Sequence, residues 1–531
     1  MEDLVIGVDV GTGSARAGVF DATGRCLGRA ERPIRLHRPL PDHAEQSSAE
    51  IWQAICHVTR EAMAAAGAPP EAVRGIGFDA TCSLVVLDQH GQPLSVSTTG
   101  DSTWDIIVWL DHRAVAEAEA CTRSGHRVLD HVGGVMSPEM EIPKLAWLKR
   151  NMPEVWARAG LFLDLADYLT WRASGSTARS ECTLTCKWTY LAHETPAWQD
   201  DFLAAMDIPD LLRQGGLPER ASPIGTNLGP LTAQAAADLG LTTGCRVAVG
   251  LIDAHAGALG VLGAAAAEGA AALDRQIAMI AGTSTCHMAL STGPRPVSGV
   301  WGPYLGAVLP GLWLEEAGQS ASGALLDHIV RLHGASRELT GNPHAALVAR
   351  IEAQRAAQGP AFAHGLHVLP DFHGNRSPLA DPHATGVVSG LTLDSSVDAL
   401  AQLYYRTAVA IALGTRHILD ALNAQGWRID TLHVAGGHTK NPLLMELYAD
   451  TTGCRVVAPA EDAVLLGSAM TGAVAAGLQP SLAAAAAAMA RTASVREPDP
   501  AHRAGFDRDY AVFLRMHEHR RELDRMSGPP A

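Results

Sequence analysis

The 531-residue sequence is poor in charged residues, and the charges it has are not predominantly basic. Lysine and arginine number 41 against 56 aspartates and glutamates, which gives a formal net charge of −15. This acidic balance argues against nucleic acid or an anionic membrane as the main partner, while leaving room for a local basic pocket around a phosphorylated ligand. The overall charge therefore argues against these two classes of partner but does not identify a ligand.

Long apolar runs and paired cysteines are also missing. No span of about 20 apolar residues occurs, and the first residues lack the basic start, apolar core and cleavage site of a signal peptide. The nine cysteines are scattered and contain no CxxC pair. The closest two, Cys182 and Cys186, have no second ligand pair at zinc spacing, which favours packing roles for reduced thiols. We therefore expect a cytoplasmic protein without a membrane anchor.

Length and glycine content describe what the chain does have. At 531 residues it is too long for one core, so two large domains are expected. The 52 glycines and the hydrophobic fraction of 47% are typical of a compact α/β enzyme with many tight loops.

Residues 6–21, IGVDVGTGSARAGVFD, predict a hairpin around a glycine turn. Glycines let a bulky anion approach the backbone, hydroxyl and N–H groups donate to its oxygens, and a nearby carboxylate such as Asp9 can hold a hydrated Mg²⁺. An ordinary hairpin is the alternative. The candidate phosphate-binding residues are Gly11, Thr12, Gly13 and Ser14.

A similar hairpin begins the second half of the chain. Residues 276–290, QIAMIAGTSTCHMAL, carry Gly282, Thr283 and Ser284 between two apolar strands. Two such hairpins indicate a duplicated domain rather than a short-period repeat, and together they could hold one polyphosphate from both sides. We therefore divide the chain into domains 1–267 and 268–531.

Asp253 is the candidate general base. It follows the strand-like segment CRVAVGLI and precedes a helix of small residues, which predicts a carboxylate at a strand end with an open approach. The alternative is a helix N-cap at Asp253, with His255 as a packed histidine.

Other polar residues interrupt apolar segments in ways that suit a sugar site. Cys82 ends the break at 79–82, Trp109 and Asp111 lie in WLDHR, and Lys187 stands among aromatic residues. An indole can cover the C–H face of a polyol while charged groups bind its hydroxyls. The alternatives are a sharp turn between core strands, a core tryptophan followed by a surface ion pair, and a solvated lysine.

Two later segments carry further candidates. Glu316 opens EAGQSASG ahead of a helix, although a capped helix with a surface acidic pair explains the same pattern. In AGGHTKNP the turn at Gly436 and Gly437 lets a flat ring or a phosphate approach the backbone, and Asn441 can hydrogen-bond it. Residues 372–382, FHGNRSPLADP, predict a turn-rich surface loop.

Taken together, these segments resemble the FGGY family of carbohydrate kinases over nearly the whole chain. The landmarks occur in the family's order: VDVGTGSAR at 8–16, WLDHR at 109–113, the Asp253 segment, AGTST at 281–285, EAGQSASG at 316–323 and AGGHTKNP at 435–442. Within the family, FDATCSLVVLD, CKWTY and GNRSPLADP look most like pentulose kinases, D-ribulokinases above all, with L-ribulokinases close by.

The resemblance implies an α/β fold of two ribonuclease H-like (actin-like ATPase) domains around a central cleft that holds ATP and Mg²⁺. Asp9 would contact the metal through water, and both glycine turns would hold phosphates. Gly323, Asp327, Gly437 and Asn441 match adenosine-binding positions, and Gly436 lies in the same loop. Asp253 matches the catalytic aspartate. Lys187 and Glu316 match substrate-binding positions, with Cys82 near them and the WLDHR segment in the sugar site.

The implied reaction is in-line transfer of the γ-phosphoryl group to the C5 hydroxyl of D-ribulose, with Asp253 accepting the proton. L-ribulose and other pentuloses or pentitols are alternative substrates, because epimers differ by one hydroxyl direction. An actin-like ATPase and a sugar sensor without kinase activity are alternatives of another class. A small-molecule sugar is the expected partner, and a homodimer is compatible with the sequence. The segment at 250–253 and His438 depart from the common family pattern, which leaves the local backbone path and the nucleotide preference open.

Overall fold

The structure is a computed structural model that describes residues 3–359 and 362–527. The strands of the first half are β1 (Leu4–Val10), β2 (Ser14–Phe20), β3 (Cys26–Pro33), β4 (Glu45–Gln46), β5 (Val73–Ala80), β6 (Leu84–Asp88), β7 (Ile106–Ile107), β8 (Ala159–Asp164), β9 (Asn227–Pro230), β10 (Arg246–Ala248) and β11 (Leu251–Ile252). Its helices are α1 (Ser48–Ala66), α2 (Val115–Arg123), α3 (Glu141–Asn151), α4 (Pro153–Arg158), α5 (Leu165–Ser174), α6 (Glu181–Lys187), α7 (Asp200–Ala205), α8 (Leu211–Gln214), α9 (Ala233–Leu239) and α10 (Asp253–Glu268).

The second half begins after α10, the helix in which the predicted domain boundary falls. Its strands are β12 (Gln276–Ala281), β13 (Thr285–Ser291), β14 (Trp301–Leu305), β15 (Trp313–Gln319), β16 (His367–Leu369), β17 (Val387–Ser389), β18 (Thr431–Ala435), β19 (Arg455–Pro459) and β20 (Thr492–Arg496). Its helices are α11 (Ala270–Leu273), α12 (Gly323–Leu332), α13 (Pro343–Gln358), α14 (Val397–Asn423), α15 (Pro442–Thr452), α16 (Ala463–Ala475), α17 (Leu482–Met489) and α18 (Arg503–Ser527).

The two large sheets repeat one pattern of strands. The first has the order β3-β2-β1-β5-β10-β9, with β11 also paired to β5. The second has the order β14-β15-β13-β12-β18-β19-β20. In both, an antiparallel hairpin leads into a parallel core, and an antiparallel strand closes the far edge. This agreement is the duplication that the two glycine hairpins predict.

Local sequence explains where the first helix begins and ends. Ser47 caps α1, and its side chain accepts the N–H of Glu50. Gly67 ends it with a φ of 61°, the left-handed conformation that glycine adopts without strain. Ile51, Ile55 and other apolar residues of α1 are buried against the first sheet.

Each large sheet is covered by a helix from the other half of the chain. Helix α10 packs against β12 of the second sheet, while α16 packs against β1 and β5 of the first. The two helices also cross each other at close range, because a Cβ at Gly467 would lie 1.9 Å from the carbonyl oxygen of Ala256. The small residues after Asp253 therefore allow close helix packing. Asp253 itself stays partly exposed and lines a cavity, so this packing does not close the approach to it.

Candidate functional site

Two glycine turns lie at corresponding ends of the two large sheets. The first joins β1 to β2, and the Gly11 N–H donates to the Ser14 carbonyl at 3.0 Å. The second joins β12 to β13, and the Gly282 N–H donates to the Ser284 carbonyl at 2.8 Å. A Cβ at Gly13 or Gly282 would meet no atom within 4 Å. Both turns therefore leave space beside their backbone in which an anion can lie.

A cavity of about 770 Å³ beside the second turn is called the outer cavity here. Its lining includes the four residues for which the family resemblance implies adenosine binding: Gly323, Asp327, Gly437 and Asn441. A Cβ at Gly323 would lie 2.5 Å from the Gly282 carbonyl oxygen, so this position needs glycine to bring α12 against the turn. The volume is in the range of small-molecule and cofactor sites.

His438 connects the wall of the outer cavity to the second turn. Its Nε2 lies 3.0 Å from the carbonyl oxygen of Gly282, and its Nδ1 lies 2.9 Å from the hydroxyl of Tyr448. These partners fix the tautomer, because a carbonyl can only accept: Nε2–H donates to Gly282, and Nδ1 accepts from Tyr448. Burial lowers the pKa of His438 to about 4, so the ring is neutral at physiological pH.

A second cavity, of about 320 Å³, is called the inner cavity. Gly282, Thr283 and Gly437 line both cavities, so the two meet at the second glycine turn. Polar, charged and aromatic residues of both halves converge on it, which suits a small polyhydroxylated ligand. The first half supplies Thr12, Arg16, Thr81, Cys82, Trp109, Glu139, Lys187 and Asp253, and the second supplies Ser284, Cys286, Trp301, Glu316, Arg376 and Gly436.

Asp253 lines the inner cavity from the first turn of α10. Its Oδ1 accepts the N–H of Ala254 at 2.6 Å. Burial raises the pKa of the carboxyl above its usual value, while the Ala254 N–H, Arg16 and Lys187 act in the opposite direction. An aspartate with a raised pKa is a stronger base than an ordinary one, so the position suits proton abstraction from a ligand.

Lys187 and Glu316 form a buried ion pair on the wall of the inner cavity. Their Nζ and Oε2 atoms lie 3.7 Å apart, and the side chains are only 3% and 4% exposed. Burial disfavours the ammonium, but the Glu316 carboxylate outweighs it and raises the pKa of Lys187. Burial acts against the Glu316 carboxylate too, yet Lys187 and His255 keep its pKa below the usual value. Both groups are therefore charged donors or acceptors that sugar hydroxyls can reach.

Buried carboxylates lie behind the first turn. Asp9 on β1 is fully buried and forms an ion pair with Arg16, and its parallel neighbour Asp79 accepts the Ser468 hydroxyl at 2.5 Å. Burial raises the pKa of Asp9 to about 7, against the lowering effect of Arg16. Among the described residues, no N–H or hydroxyl group donates to Oδ1 of Asp9 or Oδ1 of Asp79, although the two carboxyl groups hydrogen-bond each other when one of them is protonated. Carboxylate oxygens without other donors suit a hard cation such as Mg²⁺.

The remaining predicted residues divide between the cavity and its surroundings. Cys82 and Trp109 line the inner cavity, and the Trp109 indole N–H donates to Thr12 Oγ1 at 2.9 Å. The Ser14 hydroxyl instead donates to Glu31. Asp111 is buried away from the cavity lining, where it accepts two hydrogen bonds from the Arg113 guanidinium and one from the Ala44 N–H. The structure thus gives Asp111 a place in a buried charge network.

Glu139, Trp301 and Arg376 are among the inner-cavity residues that were not sequence candidates. Glu139 and Arg376 pair at 3.0 Å from opposite halves of the chain. The indole of Trp301 lies close to two cations, with Lys187 Nζ at 4.3 Å and the Arg376 guanidinium carbon at 4.8 Å from the ring centroid. Arg376 belongs to the segment that the sequence predicts as a surface loop. A positive charge among its turn residues was the one available signal.

Comparisons with known proteins agree with this architecture. The chain matches the FGGY family of carbohydrate kinases, N-terminal domain, over residues 4–260, and the C-terminal domain of the same family over residues 277–476. It is 46% identical to the FGGY carbohydrate kinase domain-containing protein of Danio rerio, covering 97% of this chain and 98% of that protein. It is 39% identical to a D-ribulokinase of Saccharomyces cerevisiae, covering 88% of this chain and 71% of that protein.

A solved structure confirms the fold expected from the sequence. The xylulose kinase from Rhodospirillum rubrum superposes with a TM-score of 0.78 at 25% identity, covering 98% of this chain and 99% of that one. The two-domain actin-like ATPase fold is therefore shown. Within residues 3–359 and 362–527, no helix is both long and apolar enough to cross a membrane.

Proposed function

The chain belongs to the FGGY family of carbohydrate kinases, and from that premise we propose that it uses ATP to phosphorylate D-ribulose at its C5 hydroxyl, giving D-ribulose 5-phosphate. That it is an ATP-dependent sugar kinase follows from the family; the choice of sugar rests on the D-ribulokinase relative. One observation carries the proposed chemistry. Asp253 lines the same inner cavity as Gly282 and Thr283, and those two residues also line the outer cavity.

In the proposed reaction, adenosine lies in the outer cavity and the phosphates extend along the glycine turns to the inner cavity. The sugar hydroxyl attacks the γ-phosphorus in line, its proton passes to the Asp253 carboxylate, and the bond between the γ-phosphorus and the ADP oxygen breaks. The raised pKa of Asp253 favours this proton transfer. Ligands that fill the inner cavity leave little room for water, which competes with the sugar as nucleophile.

We assign binding of the sugar to the charged and aromatic residues of the inner cavity. Lys187 donates to sugar oxygens and Glu316 accepts from sugar hydroxyls, and their mutual neutralisation lets both stay charged while buried. Trp109 is held by its hydrogen bond to Thr12, so its ring has a fixed orientation toward the cavity. Such groups position the attacking oxygen, which supplies much of the acceleration that phosphoryl transfer needs.

Mg²⁺ completes the proposal, and the residues behind the first turn fit it. The Oδ1 atoms of Asp9 and Asp79, to which no N–H or hydroxyl group donates among the described residues, are oxygen ligands of the kind that this ion prefers. We assign Asp9 to the ion through water, with the first glycine turn beside it. When bound, Mg²⁺ neutralises charge on the phosphate oxygens of ATP.

The Asp253→Asn variant tests the assignment of the base. We expect kcat to fall by about 10²–10⁴-fold, because loss of a general base has effects of that size. The ATP dissociation constant, measured by titration calorimetry on the same variant, should change little and so serves as its internal control. A kcat close to that of the unaltered protein would contradict the role of Asp253.

A coupled ADP-release assay tests the sugar. D-ribulose, L-ribulose, D-xylulose and ribitol should be compared at equal protein and ATP concentrations, each by its kcat/KM. We expect D-ribulose to have the highest value, because a site that hydrogen-bonds each hydroxyl discriminates strongly against a misplaced one. A higher kcat/KM for another member of the panel would replace D-ribulose as the substrate and leave the kinase assignment in place.

A further inference from the structure

Three metal-ligating side chains meet behind the wall of the inner cavity. Cys182 and Cys186 lie one helical turn apart on α6, and His255 comes from the first turn of α10. Their ligand atoms all lie within 4.8 Å of one another, and all three residues are buried. In the sequence the two cysteines lack partner ligands, because the third group is supplied by a distant helix.

The spacing of these atoms is close to that of a tetrahedral site. Cys186 Sγ and His255 Nε2 are 3.4 Å apart. Zinc–sulfur and zinc–nitrogen bonds of about 2.3 and 2.0 Å at tetrahedral angles place such atoms about 3.5 Å apart. Glu316 Oε2 lies 3.7 Å from the same nitrogen but outside the group of three mutually close atoms, so it becomes a fourth ligand when its side chain moves toward the two sulfurs. Cys182 Sγ accepts a weak hydrogen bond from the Ile252 N–H at 3.5 Å and lies within hydrogen-bonding reach of the Cys186 thiol.

Charge balance favours occupation by a divalent ion. The two thiols are buried, and a lone charge in such a place is costly. When one Zn²⁺ displaces the protons of the two thiols, the total charge of the cluster is unchanged, because the two charges of the ion replace those of the two protons. The released protons pass to the solvent. No oxidant or reductant is required.

We propose that Cys182, Cys186 and His255 form an inhibitory site for a thiophilic divalent cation such as Zn²⁺, with Glu316 as the fourth ligand. Coordination by Glu316 removes its carboxylate from Lys187 and from the sugar, so the cation competes with the sugar rather than with ATP. This consequence rests on the proposed function, because it takes Glu316 as a sugar ligand. The cation has a route to the cluster, since Glu316 itself lines the inner cavity.

The surroundings of His255 indicate a reversible site. Its Nδ1 has no hydrogen-bond partner among residues 3–359 and 362–527. Metal-bound histidines usually donate this second nitrogen to a fixed acceptor, and loss of such a partner weakens binding by about 10–100-fold. We therefore expect a cation that binds and leaves with changes in concentration, rather than one required for folding.

The test begins with metal binding in the absence of sugar and ATP. Co²⁺ alone is titrated into the full chain, and the absorption bands of thiolate-bound, tetrahedral Co²⁺ are followed. We expect one Co²⁺ per chain, displacement by Zn²⁺, and release of two protons per ion in a pH-indicator assay. Cys182→Ser, Cys186→Ser and His255→Asn should each weaken binding at least about tenfold. Cys454→Ser, at a buried thiol of the second half, is the matched control.

Inhibition is measured separately on the unaltered protein, with the panel sugar that has the highest kcat/KM. Zn²⁺ should raise the KM for that sugar and leave the KM for ATP unchanged. If the Cys182→Ser and His255→Asn variants both bind Co²⁺ like the control, or if Zn²⁺ leaves the sugar KM unchanged, the proposal is overturned. Selection of a sugar other than D-ribulose affects only the proposed substrate, because the binding titration contains no sugar.

Discussion

His438 is the residue that joins the wall of the outer cavity to the second glycine turn. Replacement by alanine removes the hydrogen bond to the Gly282 carbonyl and leaves the Tyr448 hydroxyl without its acceptor. A lost hydrogen bond of this kind costs about 1–2 kcal/mol, or about 5–30-fold in affinity. We therefore expect the KM for ATP to rise by that factor in His438→Ala, with the sugar KM unchanged.

Tyr448→Phe is the control for that measurement. It keeps the aromatic packing against His438 and removes only the hydroxyl, so the Nε2–H bond to Gly282 survives. A smaller rise in the KM for ATP is expected. Equal effects of the two variants, or an effect of His438→Ala on the sugar KM alone, would show that His438 does not position the turn.

The sequence indicated individual site residues from their neighbours in the chain, but those neighbours are not always the groups that surround them in space, since the ring beside Lys187 is that of the distant Trp301. Lys187 stands beside aromatic residues in the chain, and the structure buries it on the cavity wall. Asp111 also follows an aromatic residue in the chain, but the Arg113 guanidinium, two positions later, donates hydrogen bonds to both oxygens of its carboxylate. Arg376 could not be found in this way, because the residue that pairs with it, Glu139, lies 237 positions earlier.

The strand hairpins are the elements that the sequence predicts best. Alternating apolar residues around a glycine turn specify a hairpin locally, so both hairpins and the duplication they imply appear in the structure. The crossing of α10 and α16 has no such local signal. Small residues on a helix indicate close packing but do not identify the partner, and here the partner comes from the other half of the chain.

The contact between α16 and the first sheet predicts a strong effect of a single methyl group. A Cβ at Gly77 would lie 1.9 Å from the Ser468 carbonyl oxygen and 2.4 Å from the Thr471 hydroxyl. We expect Gly77→Ala to lower the free energy of unfolding by about 1–3 kcal/mol, the usual cost of overpacking, even though alanine stiffens the unfolded chain. Urea unfolding curves measure this difference.

Gly293→Ala is the matched control for Gly77→Ala. A Cβ at Gly293 would meet no atom within 4 Å. The free energy of unfolding of the Gly293→Ala variant should stay within about 0.5 kcal/mol of the value for the unaltered protein. If Gly77→Ala were equally neutral, helix α16 would not be pressed against β5 as the structure describes.

The C-terminal helix α18 carries a pH-dependent contribution to stability. His517 is 2% exposed and packs edge-on against Phe513, and burial lowers its pKa to about 3. Asp371 lies 3.5 Å from its Nδ1 but offers little counter-charge in acid, because burial raises the pKa of Asp371 to about 6. The unfolded chain, with an ordinary pKa of about 6.5, binds a proton that the folded protein rejects.

His517 therefore stabilises the fold fully above about pH 6.5, and this contribution is lost as the pH falls toward 3. Each pH unit in that window costs up to about 1.4 kcal/mol relative to a non-titrating residue. We expect the Tm of the unaltered protein to fall more steeply between pH 6.5 and 4.5 than that of His517→Gln. Parallel Tm curves would contradict a neutral, buried His517.

At the scale of the whole molecule, the inner cavity depends on both halves keeping their relative position. Its wall combines Asp253 and Lys187 from one half with Glu316 and Arg376 from the other. Helix α10 of the first half packs on the second sheet, and α16 of the second half packs on the first sheet. This exchange of helices fixes the relative position of the two halves. Helices of small residues are suited to this task, because they bring the two sheets close enough to share a small cavity.

The pair formed by Glu139 and Arg376 spans the two halves on the wall of the inner cavity. Its nitrogen and oxygen are 3.0 Å apart, with side chains 19% and 10% exposed. Removing either partner leaves a partly buried charge unpaired, and close interfacial charge pairs have coupling free energies of about 1.5 kcal/mol or more. We expect Glu139→Gln and Arg376→Gln each to raise the sugar KM by at least about tenfold.

A double-mutant cycle distinguishes this role from general stability. If the pair closes the cavity, the double variant raises the sugar KM by little more than either single variant, because each single change already breaks the same contact. Arg491 and Glu461 provide the matched control, since they pair at the same 3.0 Å but with side chains 43% and 20% exposed. Their cycle should give a coupling near zero on the sugar KM and at most about 1 kcal/mol on stability. If the Glu139 and Arg376 variants changed Tm and left the sugar KM unaltered, the pair would be a structural contact only.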